Sequence, residues 1–100
     1  MLLRLKGYRI LARRHRTPYG EIDIVAVRGR RLAFVEVKRR NDFAEAEAAL
    51  TPWQVGRIGR AADDWIARHP SMAGHEIGLD AILVVGGALP RHLKNALDRF

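Results

Sequence analysis

Apolar residues dominate two segments in the first half of the chain, EIDIVAV at 21–27 and RLAFVEVKR at 31–39. Their β-branched and aromatic residues are typical of strands. The loop between them, Gly29-Arg30, places glycine first, as a primed hairpin turn prefers. Upstream, residues 8–14 predict a first strand, and the proline and glycine of TPYG at 17–20 predict a turn.

The segment TPWQVGRIGRAADDWIARHP predicts the clearest helix, which ends before Pro70. Thr51 can cap it, Pro52 suits its first position, and Gln54 completes a capping box. Apolar residues recur at helical spacing and predict one buried stripe, formed by Val55, Ile58, Ala62, Trp65 and Ile66. The side predicted to lie opposite carries Arg57, Arg60 and Asp64.

Shorter patterns predict the remaining elements. Residues 1–6 predict the end of a short helix, and residues 41–50 predict a polar connector that is helical at its end. Residues 77–85 predict a fourth strand. The last eleven residues predict a helix whose apolar side consists of Leu93, Ala96, Leu97 and Phe100. The order βββαβα over residues 1–100 predicts one α/β domain with helices against a sheet.

A two-residue loop fixes the register of the hairpin, so Asp23 is expected to face Glu36, and Glu21 to face Lys38. Side chains alternate between the two faces of a strand. These four residues therefore share a face with Val25, Val27, Leu32 and Phe34. The other face carries Ile22, Ile24, Ala26, Ala33, Val35 and Val37. Because both faces are largely apolar, both are expected to be covered.

Asp23 and Glu36 are the chemically informative pair, because like charges directly opposite each other destabilise a sheet. Lys38 is the single base beside three acids. A divalent cation is the simplest source of the missing positive charge, and carboxylate ligands favour Mg²⁺ or Mn²⁺. The alternative is an exposed strand end with a Glu21–Lys38 ion pair and a solvated Asp23. A loop longer by one residue would also separate the acids.

Basic residues outnumber acidic ones by 18 to 11, which gives a net charge of +7. They concentrate in ARRHR (12–16), RGRR (28–31) and KRR (38–40). This clustering favours a nucleic-acid partner, and the alternative is a surface that is merely soluble. The residues expected to contact nucleic acid are Arg13, Arg14, Arg16, Arg39 and Arg40.

The composition also excludes several classes of protein. The chain has no cysteine, which rules out disulfides and thiolate zinc sites and fits a reducing cytoplasm. No apolar run approaches the roughly 20 residues of a membrane span. The start, MLLRLKGYRIL, is too short and too charged for a secretory signal. We therefore expect a cytoplasmic protein that does not associate with membranes.

The pattern GEIDIVA…LAFVEVKRR, at 20–26 and 32–40, resembles the core of the PD-(D/E)XK, or restriction-endonuclease-like, nucleases. With Gly7-Tyr8 before it and LKNAL (93–97) after it, the chain more narrowly resembles the YraN-type family of small bacterial proteins. The resemblance runs from about residue 7 to the C-terminus. It implies a restriction-endonuclease-like mixed β-sheet flanked by helices, with the N-terminal helix short or missing.

The resemblance also implies roles for four residues. Asp23 and Glu36 match the two acids that bind Mg²⁺ or Mn²⁺. Lys38 matches the lysine that orients or deprotonates the attacking water and steadies the phosphate, and Glu21 is placed to assist through water. The implied reaction is in-line hydrolysis of a phosphodiester bond that leaves a 5′-phosphate.

Three positions depart from the family pattern. Only six residues precede Gly7, so the glutamate of the family's first helix is missing or lies upstream. Gln54 stands where a lysine is common, which makes it a further candidate for contact with nucleic acid, although we prefer its capping role. Asp80 lacks the arginine and aromatic that usually precede it and is interpreted as a strand-end residue rather than a ligand.

The sequence thus predicts a metal-dependent nuclease acting on DNA or structured nucleic acid. Analogy with the Holliday-junction resolvases makes branched DNA a candidate substrate, and two symmetric cuts would require a homodimer. Two other hypotheses stay open. One is a nucleic-acid-binding module that keeps the fold without cleavage, and the other is a basic structural protein associated with ribosomes or chromatin.

Overall fold

The computed structural model describes residues 2–99, with side chains described for residues 2–97. Its core is a five-stranded mixed sheet in the order β1-β2-β3-β4-β5, in which only β3 and β4 run parallel. The elements are α1 (Leu2–Leu5), β1 (Arg9–Thr17), β2 (Gly20–Arg28), β3 (Arg31–Arg40), α2 (Phe43–Ala48), α3 (Pro52–Arg68), a 3₁₀ turn (Pro70–Met72), β4 (Glu76–Val85), β5 (Arg91–Leu93) and a second 3₁₀ turn (Ala96–Arg99). The predicted mixed sheet flanked by helices is confirmed.

The β2–β3 hairpin has the predicted register near its turn. Arg28 pairs with Arg31 and Val25 with Phe34. Gly29 has φ +57°, and its partner in the loop does not have a positive φ. This combination is typical of a type II′ turn, whose twist matches that of the strands it joins.

Both faces of the hairpin are covered, as predicted. On one face Val25, Val27, Leu32 and Phe34 pack under α3, where Trp65 meets the Phe34 ring edge-on at 5.6 Å. On the other face a second cluster joins the sheet to α1 and the start of β1: Leu3, Tyr8, Ile24, Ala26, Ala33 and Val35. Burying a side chain such as Phe34, which is 0% exposed, contributes roughly 1.5–3 kcal/mol to stability.

The main helix forms as its sequence predicts. The Thr51 hydroxyl accepts a hydrogen bond from the Gln54 backbone N–H, and the predicted stripe is buried, with Ile66 partly so. The capping box is only half formed, because the buried Gln54 Oε1 has no hydrogen-bond partner among the described residues. Within residues 2–99, no helix has the length and apolar character needed to cross a membrane.

The predicted C-terminal helix is wrong. Arg91–Leu93 instead forms β5, which pairs antiparallel with β4, and a 3₁₀ turn follows. Asn95 has φ +54°, and its N–H donates to the Asp80 carboxylate. That long-range hydrogen bond and the strand pairing override the local helical spacing. Phe100 lies outside the described residues.

Candidate active site

The two strands that carry the acids separate where the acids begin. The paired register of β2 and β3 ends at Ile24 and Val35, so Asp23 and Glu36 are not ladder partners as predicted. Instead, the Asp23 carboxylate accepts a hydrogen bond from the Val37 N–H at 2.8 Å. The Asp23 carboxylate therefore takes the place that a backbone carbonyl has in a regular ladder, and this hydrogen bond fixes the carboxylate between the two strands.

The same position distorts the neighbouring strand. Arg14 of β1 has φ +48°, and it lies between two residues that pair with Ile24 and Ile22 of β2, which places it opposite Asp23. Ile22 packs in the cluster under α3, although strict alternation assigns it to the other face. The predicted face of Ile22 is thus wrong, because the regular pleat breaks at Asp23.

Glu36 and Asp23, the carboxylate pair, nevertheless meet through their side chains. Glu36 is only 6% exposed. Burial first and then the neighbouring Asp23 raise the pKa of Glu36 to about 8, against the opposing charges of Lys38 and Arg57. Two neighbouring carboxyl groups disfavour each other's negative charge, so a cation between them would stabilise the pair.

Arg57 supplies part of that positive charge. The sequence pattern missed this role, because it places Arg57 on the polar side of the helix. Its guanidinium donates to Glu36 Oε2 at 3.2 Å and to the Glu21 backbone carbonyl at 3.2 Å. Gly20, with φ +117°, lies directly beneath it, and a Cβ at that position would overlap the guanidinium. The glycine of the GEID motif thus gives Arg57 access to the carboxylate pair.

Lys38 lies two residues beyond Glu36 on β3 and is 8% exposed. Among the described residues it has no carboxylate within 4.0 Å, so the alternative Glu21–Lys38 ion pair is not formed. Its charge still acts on Glu36 by lowering the pKa of that carboxyl. The Lys38 ammonium therefore lies near the carboxylate pair without a carboxylate in close contact.

Asp23 also lines a groove of about 560 Å³, which we call the arginine groove. The groove lies where β2 leaves β3 and is lined by Arg13, Arg14, Arg39 and Arg40 together with Ile24 and Val37. The structure therefore brings four of the five predicted arginines to Asp23. Arg16 is exposed farther along β1, and neither Arg16 nor Gln54 lines this groove.

The carboxylate pair fits Mg²⁺ or Mn²⁺ by its chemistry. Mg²⁺ keeps several waters and often takes only one or two protein carboxylates. Two oxygen ligands from Asp23 and Glu36 satisfy that requirement, although no group of three or more histidine or acidic side chains suited to a metal occurs within the described part of the chain. The raised pKa of Glu36 marks a place where a cation would relieve repulsion.

A family model described as "Uncharacterised protein family UPF0102" matches residues 1–84. The chain belongs to this family. A UPF0102 protein of Rhodopseudomonas palustris (strain BisB18) is 55% identical over 93 residues, which are 93% of this chain and 69% of the relative. Another, from Bradyrhizobium diazoefficiens, is 53% identical over 96 residues, covering 96% and 72%. One from Nitrobacter winogradskyi is 55% identical over 93 residues, covering 93% and 79%.

The expected membership of a small bacterial family is thus confirmed. The names of these UPF0102 relatives state no activity, so the nuclease reaction stays a prediction. The roles of Asp23, Glu36, Lys38 and Glu21 likewise stay predictions.

A second acidic centre in this UPF0102 chain escaped sequence reasoning. Asp80 is not a strand-end residue: it lies in the middle of β4 and is 0% exposed. Arg31 binds it through two hydrogen bonds of 2.7 and 2.8 Å, and His92 Nε2 and the Asn95 N–H each add one. We call these four residues the Asp80 cluster. An acid inside the apolar run LDAILVV was the available signal.

The Asp80 cluster is fully satisfied. Burial alone would raise the pKa of Asp80, but the hydrogen bonds from Arg31, His92 and Asn95, with the charge of Arg31, hold that pKa below its ordinary value. Arg31 belongs to the basic run RGRR, which the sequence pattern assigns to the surface, but its side chain is only 11% exposed. Gly78 makes room for it, since a Cβ there would overlap the Arg31 guanidinium.

Proposed function

We propose that this protein is a metal-dependent nuclease that hydrolyses phosphodiester bonds in DNA or another structured nucleic acid. One observation carries the proposal: Asp23, which raises the pKa of its buried neighbour Glu36, also lines a groove with four arginines. Arginines in a groove are suited to binding the phosphate backbone, and a cation-binding pair that shares Asp23 with the groove is suited to cutting it.

Asp23 and Glu36 would hold the Mg²⁺ or Mn²⁺ ion. When bound, the ion lowers the pKa of a coordinated water and offsets negative charge on the scissile phosphate. Val37 fixes the Asp23 carboxylate through its N–H, and Arg57 fixes the Glu36 carboxylate. Both acids are therefore held by the chain before a ligand arrives, which reduces the ordering cost of binding.

The remaining residues act on the substrate. The Lys38 ammonium orients the attacking water or steadies the phosphate, since its charge reaches Glu36 without a carboxylate in close contact. Arg13, Arg14, Arg39 and Arg40 bind backbone phosphates along the groove. Glu21 contributes its backbone carbonyl to the position of Arg57, and its side chain is placed to assist through water.

Cleavage of labelled linear and branched DNA with Mg²⁺ or Mn²⁺ tests this proposal. We expect Glu36→Gln and Lys38→Met, which keep side-chain volume, each to slow cleavage by roughly 10²-fold or more. The matched control is Asp64→Asn, which removes a helix carboxylate paired with the 64% exposed Arg68 and should cut normally. Equal cleavage by all four proteins would contradict the proposal.

Metal binding has a readout that does not depend on activity. Because they bind only the folded protein, Mg²⁺ or Mn²⁺ should raise its thermal midpoint. At a concentration one hundred times Kd, the added free energy of unfolding is about 2.7 kcal/mol. Asp23→Asn and Glu36→Gln should lose this effect, whereas Asp64→Asn should retain it. A midpoint that no divalent ion moves would exclude the carboxylate pair as a metal site.

A second candidate function is nucleic-acid binding without cleavage. The Arg57 guanidinium on Glu36 favours it, because a protein cation already neutralises part of the site. In that case DNA binding would survive Glu36→Gln with no cutting in any metal. A steep salt dependence with no preference for DNA structure would instead favour a basic structural protein. A cytoplasmic location and a homodimer that makes paired cuts belong to the nuclease proposal.

A further inference from the structure

Three polar side chains form a line that extends out of the Asp80 cluster. His92 Nε2 lies 2.8 Å from Asp80 Oδ2, and Lys6 Nζ lies 2.6 Å from His92 Nδ1. The Asp80 and His92 side chains are 0% and 2% exposed, while Lys6 is only partly buried. The line therefore begins at a closed carboxylate and ends at an amine that reaches solvent.

This line lies on the opposite face of the sheet from the carboxylate pair. Asp80 pairs in parallel register with Val35, and neighbouring residues of paired strands share a face. Val35 belongs to the cluster with Leu3 and Tyr8, whereas Glu36 contacts α3 through Arg57. The proposed nuclease site does not use the line.

The order of donors along the line follows from Asp80. Arg31 keeps that carboxylate ionised, so it only accepts hydrogen bonds, and His92 Nε2 must donate to it. The other ring nitrogen, Nδ1, is then free to accept from Lys6. Edge contact with Tyr8, at 6.0 Å between ring centroids, helps to fix the imidazole orientation. His92 is thus positioned as a base for the Lys6 ammonium, with a carboxylate behind it to stabilise the imidazolium.

Positive charge surrounds the amine. Burial and the charges of Lys94 and Arg28 lower the pKa of Lys6. Arg28 also donates to the Lys6 backbone carbonyl at 3.0 Å, and both Arg28 and Lys94 are exposed. The same two cations that disfavour the ammonium would attract an anionic group on a compound that approaches Lys6.

We propose that Lys6 is an activated amine that forms imines with small phosphorylated aldehydes. The Lys6 ammonium passes a proton to His92 Nδ1, and the freed nitrogen lone pair attacks the carbonyl carbon. The carbonyl π electrons move to oxygen, which takes the proton released by nitrogen and gives a carbinolamine. His92 returns its proton to the hydroxyl, which leaves as water. Overall, ammonium and aldehyde give a protonated imine and water.

Reductive trapping tests this proposal in the intact chain. Pyridoxal 5′-phosphate is the probe, cyanoborohydride supplies the hydride that reduces the imine, and peptide mass spectrometry locates the adduct. The chain has only three lysines, Lys6, Lys38 and Lys94, which makes the assignment simple. We expect Lys6 to be labelled several times faster than the exposed Lys94, because the Lys6 amine faces the His92 base. Equal labelling of the two would overturn the proposal.

Two sets of variants separate activation from simple exposure. His92→Gln keeps an N–H donor for Asp80 but removes the base that faces Lys6, so Lys6 labelling should fall to the level of Lys94. Arg28→Gln and Lys94→Gln change exposed residues and should slow labelling by pyridoxal 5′-phosphate more than labelling by pyridoxal, which lacks the phosphate. Unchanged Lys6 labelling in His92→Gln, or an unchanged ratio of the two probes in the exposed variants, would also overturn the proposal.

Discussion

The carboxylate pair and the Asp80 cluster each bury a carboxyl group to a similar depth, but the pKa of that group shifts in opposite directions. Glu36 and Asp80 are 6% and 0% exposed. The pKa of Glu36 rises to about 8, whereas the pKa of Asp80 falls below its ordinary value. Burial disfavours charge at both, so burial does not explain the difference.

The partners of each carboxyl explain it. Asp80 accepts four hydrogen bonds, two of them from one guanidinium. Glu36 has one guanidinium contact, at 3.2 Å, and an acidic neighbour. The first centre is electrostatically complete and stabilises the fold, while the second retains a deficit of positive charge. A deficit of that kind beside a basic groove is the physical reason to propose function there.

The largest test of this contrast is removal of the Asp80 charge. Asp80→Asn leaves Arg31, 11% exposed, without its ionic partner, and breaking a buried pair in this way costs about 3–5 kcal/mol. We expect that loss in the free energy of unfolding, measured by denaturant titration. Asp64→Asn, beside the 64% exposed Arg68, should change it by less than about 1 kcal/mol. Similar losses in both variants would show that Asp80 is not a structural centre.

The pH dependence of stability should have opposite origins at the two centres. Because the folded-state pKa of Glu36 lies near 8 and its ordinary value is 4.5, the folded state holds the proton more tightly. The free energy of unfolding in the absence of metal should therefore fall as pH rises from about 4.5 to 8. Each pKa unit of this shift lowers the free energy of unfolding by about 1.4 kcal/mol. For a domain of this size, each kcal/mol lowers the thermal midpoint by roughly 4–8 °C.

Glu36→Gln removes the titrating group and should flatten that decline, as thermal melts across the pH window would show. Asp80 has the opposite effect on the pH dependence. Its lowered pKa adds stability that is lost only as the solution becomes strongly acidic. A decline between pH 4.5 and 8 of the same size in native protein and Glu36→Gln would assign it to another group.

The sequence predicted the hairpin and the main helix well because local rules govern them. The glycine-first turn at Gly29 sets the register, and the Thr51 cap with its apolar stripe sets the helix. It also identified the two acids of the carboxylate pair. Their meeting was inferred from a ladder pairing that the structure does not continue, since the paired register ends at Ile24 and Asp23 instead accepts from the Val37 N–H, while it still acts on Glu36.

The missed features depend on contacts between distant parts of the chain. Arg57 lies on the helix surface by periodicity, yet it reaches Glu36, which is 21 residues earlier. Arg31 looks like part of a basic run, and its partner Asp80 is 49 residues away. In the last segment, strand pairing with β4 outweighs a helical pattern. No rule based on neighbouring residues contains these long-range partners.

The glycines beneath the two arginines offer a smaller test. At Gly78 a Cβ would overlap the guanidinium of Arg31, and that guanidinium is held by two hydrogen bonds to Asp80. Gly78→Ala should therefore lower the free energy of unfolding by about 1–3 kcal/mol. Gly74→Ala is the control, because nothing lies within 4 Å of its added Cβ. A loss no greater than in Gly74→Ala would mean that the Arg31–Asp80 contact adapts.

Arg57→Gln should have the smallest effect on stability and the most direct effect on the difference in pKa shift between Glu36 and Asp80. It removes two hydrogen bonds of a guanidinium that is 17% exposed, one to Glu36 and one to the Glu21 carbonyl, which together cost about 1–2 kcal/mol. Since the charge of Arg57 lowers the pKa of Glu36, its loss should raise that pKa further. Carbon-detected NMR titration of the Glu36 carboxyl would measure the shift. Arg60→Gln, one turn along the helix, is the matched control and should leave Glu36 unchanged. A Glu36 pKa that stays constant in Arg57→Gln would mean that this arginine holds the carboxylate in place without setting its charge.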